Sequence, residues 1–85
     1  MTRHVANPTA QQVAETLKEA IRAAGLTQRE VAERSNIPLT TLNRHLRDGH
    51  LTWDEIRAIS RLVGRSASSM INDTALRVAA ERSPA

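Results

Sequence analysis

Residues 28–47 read QREVAERSNIPLTTLNRHLR, a spacing that fits two short helices joined by a three-residue turn. Such a corner restricts residue type wherever the helices cross. Ala32, the fifth position of the stretch, is small, as close approach of the second helix requires. Asn36, the ninth, stands where the turn needs a positive φ, a region Asn tolerates better than other non-glycine residues. Val31, Ile37 and Leu42 supply apolar plugs between the helices. Pro38 disfavours helical geometry at Ile37 and can itself open the next helix. That next helix is expected over 39–47, with Leu42 and Leu46 four apart on its inner face and Asp48-Gly49 as its stop.

Outward from this stretch, the helix starts are written in the sequence. Thr9–Gln12, Thr27–Glu30 and Thr52–Glu55 each place a hydroxyl three residues before a Glu or Gln. At that spacing the two side chains satisfy orphan backbone donors reciprocally. A first helix over 10–24 would bury Val13, Leu17, Ala20, Ile21 and Ala24 and end at Gly25. The second helix, 28–35, turns Val31 and Ala32 inward. A fourth begins after Thr52 and ends at Gly64, with Trp53, Ile56, Ile59, Leu62 and Val63 as its apolar stripe. Ser66 caps a fifth, whose stripe is Met70, Ile71, Ala75, Val78 and Ala79. The expected organisation is an N-terminal arm over 1–8, one all-α domain of four to five helices over 9–81, and a frayed tail over 82–85.

Composition agrees with a small helical domain. Eighty-five residues make one domain with little surplus stability. There is no Cys, so neither disulfides nor thiolate–metal sites can staple it. Trp53 is the sole aromatic, which weighs against a sheet and against single-stranded nucleic acid, whose bases stack on rings. The net charge is +3, and eleven of the twelve basic residues are Arg. A modest positive excess suits a polyanionic partner without proving one. No stretch approaches the roughly 20 apolar residues of a membrane span, and the N-terminus lacks the apolar core of a signal peptide. A cytoplasmic protein is expected.

From Leu26 to Ile71 the chain resembles the lambda-repressor-like, or xenobiotic-response-element, family of bacterial and phage transcriptional regulators. The resemblance rests on Leu26-Thr27-Gln28, Val31-Ala32, the Ile37-Pro38 turn, Thr41-Leu42 and Leu62-Val63-Gly64. The segment IPLTTLNRHLR is similar to recognition helices of actinobacterial and actinophage members. Two positions depart from the pattern. Asn36 replaces a common glycine, and His45 stands where an apolar residue is usual. His45 reads either as a partly buried packing residue or as a phosphate or base contact.

The resemblance implies a partner, an operator in double-stranded DNA, and a set of contacts to it. Gln28 would bond a phosphate at the start of the second helix, where free N–H groups and partial positive charge favour anions; Thr27 would cap that helix, either as a purely structural residue or sharing the contact. On the third helix, Leu39, Thr40, Asn43 and Arg44 are the expected base contacts. Asn can bond adenine bidentately, Arg can do so to guanine, and Thr or Leu can meet a thymine methyl. Arg47, near the helix end, and His50 or Thr52 in the loop after it are expected on phosphates. A homodimer paired through the fifth helix would place two recognition helices about 34 Å apart.

Other classes draw less support. His45 and His50 are five apart, which does not stack on one helical face, and no third metal ligand lies nearby. Neither catalysis, a metal, a cofactor nor a small-molecule substrate is expected. The alternative is a protein-interaction module, such as an antitoxin or inhibitor, built on the same scaffold.

Overall fold

The computed structural model describes residues 9–82 of the chain. Five helices succeed one another: α1 (Ala10–Ala23), α2 (Gln28–Ser35), α3 (Leu39–Asp48), α4 (Trp53–Leu62) and α5 (Ala67–Arg82). There is no strand among the described residues, and the fold is all-α as the sequence predicts. The expected arm over 1–8 and residues 83–85 of the expected tail lie outside the described residues.

All three Thr-led boxes form. The Thr9 hydroxyl accepts from the Gln12 amide at 3.1 Å, while the Thr9 amide donates to Gln12 Oε1 at 2.8 Å. Thr27 with Glu30 and Thr52 with Glu55 repeat the pattern. Each box satisfies two donors that the helix start would otherwise leave to water. Ser66 caps α5 more simply, its hydroxyl accepting from the Ser69 amide at 3.0 Å.

The core is one cluster drawn from all five helices. Leu17 of α1, Val31 of α2, Leu42 and Leu46 of α3, Ile59 of α4 and Met70 of α5 are fully buried within it. Each such side chain contributes roughly 1.5–3 kcal/mol relative to exposure. α1 is the central element, packing against α3, α4 and α5. Neighbours on several sides widen its buried face, so Ala14 and Thr16 join Val13, Leu17 and Ile21 inside. Ala24, expected on the apolar stripe, is exposed because the helix has already ended there.

Two further expectations are corrected. Trp53 is 52% exposed and lies outside the core. It is the first residue of α4, one turn before Ile56, where the buried face of that helix begins. In α5 the inward face is Ala67, Met70, Thr74 and Val78, rather than the stripe through Ala75 and Ala79. Ala79 is exposed, and Ile71 and Ala75 are half-buried. Thr74 can sit inside because its hydroxyl lies 2.6 Å from that of Thr16 and 2.8 Å from the Met70 carbonyl. A buried hydroxyl with those partners escapes the desolvation cost of an unpaired one.

The C-terminal end of α3 is held against the start of α1. Gly49 is buried at φ 78°, and a Cβ there would lie 2.9 Å from the backbone N and Cα of Gln11. Beside it, Gln11 Nε2 donates to the Arg47 carbonyl at 2.8 Å, satisfying one of the last-turn acceptors of α3. Gly25 has a similar φ of 75° but open space around the missing Cβ. Gly25→Ala should therefore cost only the left-handed penalty, whereas Gly49→Ala adds overpacking and should cost about 2–5 kcal/mol. Urea unfolding of the two variants checks this, and equal losses would show that the Gly49 contact carries no weight.

Candidate nucleic-acid interface

α3 is built with two unlike sides. It starts from Pro38, whose carbonyl accepts from the Leu42 amide at 2.8 Å, and no side chain caps it. Leu42 and Leu46 are buried against α1 and α2. Thr40, Asn43, Arg44 and Arg47 are exposed, and spacings of three and four put them on one face. Leu39 is half-buried and packs against the core edge, so the first of the expected base-contacting residues shares its surface with the interior. The structure thus brings Thr40, Asn43 and Arg44 together and leaves Leu39 at the rim.

The electrostatics of this face are simple. Among the described residues Arg44 has no carboxylate partner. Arg47 Nε donates to Asp48 Oδ1 at 3.1 Å, with both side chains open to solvent. An exposed pair between sequence neighbours is worth little in water, and a phosphate can displace it. Asp48 is the one acid between residues 39 and 50.

The expected phosphate contacts gather at helix starts and in the α3–α4 loop. Thr27 is exposed and Gln28 half-buried at the start of α2. His50 and Thr52 are both exposed beyond α3, with the His50 amide donating to the His45 carbonyl at 3.2 Å. Thr52 caps α4. Arg47, His50 and Thr52 therefore border the C-terminal end of α3, while Thr27 and Gln28 belong to the preceding helix.

Two residues hold α3 in place through contacts that the local sequence pattern does not announce. Gln11 reaches the helix from a position 36 residues earlier in the chain. Glu55 accepts from the ring nitrogen Nδ1 of His45, at 2.9 Å and 3.1 Å on its two oxygens. His45 is accordingly a half-buried packing residue with a polar partner. A carboxylate only accepts, so Nδ1 is the protonated ring nitrogen.

A family model described as winged helix-turn-helix DNA-binding matches residues 15–48. The match supports a helix-turn-helix DNA-binding domain. It takes in most of α1 with all of α2 and α3, and stops where α3 ends. The next element of this chain is α4, and no strand of a wing occurs among the described residues. No curated protein and no solved structure matches the chain. No described helix is long and apolar enough to cross a membrane.

The box that opens α2 carries a pH signature. The Thr27 amide and then its hydroxyl donate to the Glu30 carboxylate, with Arg34 a smaller influence, and hold its pKa below the usual 4.5. A depressed folded pKa means that this contribution is complete above the unfolded value and is lost as pH falls through the folded one. Side-chain NMR titration should give a Glu30 midpoint below 4.5. Glu30→Gln, which can still close the box, should remove that share of the acid sensitivity of unfolding. A midpoint at or above 4.5 would contradict the bonded carboxylate.

Proposed function

We propose that this chain is a sequence-specific regulator of transcription that seats α3 in the major groove of double-stranded DNA. The observation that carries it is the two-sidedness of α3. Its buried Leu42 and Leu46 leave Thr40, Asn43, Arg44 and Arg47 exposed on the helix that closes the matched segment. The lambda-repressor-like resemblance narrows the class to a phage-type repressor or a Cro-like antagonist, acting by occupying an operator in the cytoplasm of a bacterial host. No catalysis is assigned to it.

Roles divide by chemistry. Asn43 offers a donor and an acceptor suited to an adenine edge and Arg44 paired donors suited to guanine, while Thr40 and the exposed part of Leu39 can meet thymine methyl groups. Thr27, Gln28, Arg47, His50 and Thr52 meet phosphates, which fix register without carrying sequence information. Two copies would read a near-palindrome with half-sites about one helical turn apart.

Selection of bound duplexes from a random pool tests the reading and supplies a site for variants. Arg44→Ala should lose about 1–3 kcal/mol on the selected site and relax preference at one base pair. Arg47→Ala should weaken selected and random duplexes alike and lower the salt slope by about one phosphate's share. Failure of any sequence to emerge would overturn the reading. An equal loss for Arg44→Ala on both duplexes would move that residue to the backbone.

A further inference from the structure

We infer that Glu55 is a positioning residue of the recognition surface, acting through His45 to fix the roll of α3 and with it the discrimination between DNA sequences. The inference rests on α3 being the reading helix.

The chain has three Thr-led boxes, and two of them are self-contained. Gln12 bonds Thr9, and Glu30 bonds Thr27, with no side-chain hydrogen bond to another helix among the described residues. Glu55 does more. Its Oε1 accepts from the Thr52 amide at 2.9 Å, and both oxygens take the Nδ1–H of His45 at 2.9 Å and 3.1 Å. Capping alone does not require a carboxylate, since Gln12 closes the same box in α1. A carboxylate at 55 makes the second bond charge-assisted and lets both oxygens share it.

That bond lies where it can govern orientation. Leu42 and Leu46 pin α3 along one apolar stripe, which resists lifting of the helix better than rotation about its own axis. His45 sits on the flank, immediately between Arg44 and Leu46. Its side chain and that of Glu55 retain only 19% and 16% of their exposure. The same residue's carbonyl accepts the amides of Gly49 at 2.8 Å and His50 at 3.2 Å. Side chain and backbone of His45 therefore close a ring through Gly49, His50, Leu51, Thr52 and Glu55. The ring ties the exposed face of α3 to the loop carrying His50 and Thr52. Base-reading side chains must be held within about 0.5 Å and 10–20° to discriminate, and a stop against roll supplies that.

The test uses the full chain, the duplex selected from a random pool, and a mixed-sequence duplex. Glu55→Gln keeps the box and reduces the bond to His45 to a neutral one, and His45→Ala removes that bond while leaving the box untouched. His45→Ala should lower the ratio of selected to mixed-sequence affinity roughly tenfold, the scale of a lost hydrogen bond to a charged group, and Glu55→Gln should lower it by a smaller factor. The double variant should be no worse than His45→Ala alone. Thermal melts run alongside, because a purely structural role would lower stability and leave the ratio unchanged. An unchanged ratio, or fully additive losses, overturns the inference. If the unaltered protein prefers no duplex, the DNA reading fails on its own account, and amide hydrogen exchange of Arg44–Leu46 in the free protein decides the clamp. Faster exchange in both variants upholds it as a constraint on α3, and unchanged exchange removes it.

Discussion

At Asn36 the backbone turns left-handed, with φ 63° and ψ 27°, and its amide donates back to the Ala32 carbonyl. The next amide, of Ile37, returns to the same oxygen at 3.2 Å. Asn tolerates this region because its short polar side chain can support the turn locally, where a β-branched residue would be strained. Pro38 then restarts the chain as α3 at an angle that drops Leu42 and Leu46 into the cluster with Val31 and Leu17. The same turn decides which side chains are left outside. Had the corner opened differently, Thr40, Asn43 and Arg44 would have rotated away from the solvent face they now share.

One turn sets the direction of α3, and contacts at its far end keep it there. The start of α1 presses against Gly49 and bonds the Arg47 carbonyl, while α4 reaches His45 through Glu55. A short helix of ten residues has little stability of its own in water. Here it is braced at the corner, along its apolar stripe and at its C-terminal end. Exposed groups on a braced element lose less freedom on binding, which is how a small domain can present polar side chains to a groove without a large entropic cost.

Features that depend on neighbours in sequence were legible before any coordinates. The Thr-led boxes, the left-handed stops and the Leu42–Leu46 stripe are local devices, and the helix bounds they set agree with the structure to within a residue or two. Features that depend on distant partners were not legible. Thr74 enters the core because Thr16, 58 residues away, receives its hydroxyl. Gln11 and Glu55 brace α3 across gaps of 36 and 10 residues. Trp53 shows the opposite error, since helical periodicity marks a face but not where along that face the neighbouring helices stop. At the candidate interface, the exposed set on α3 could be derived from its buried set. The half-buried place of Leu39 and the partner of His45 could not.

The account stands on α3 presenting its outer face to DNA, and a chemical-shift map addresses that most directly. Backbone amide shifts of the labelled full chain would be monitored while a selected duplex is added. The largest changes should fall on Thr40, Asn43, Arg44 and Arg47, with smaller ones at Thr27, Gln28 and His50. Changes centred on α5, with the α3 amides unmoved, would contradict it.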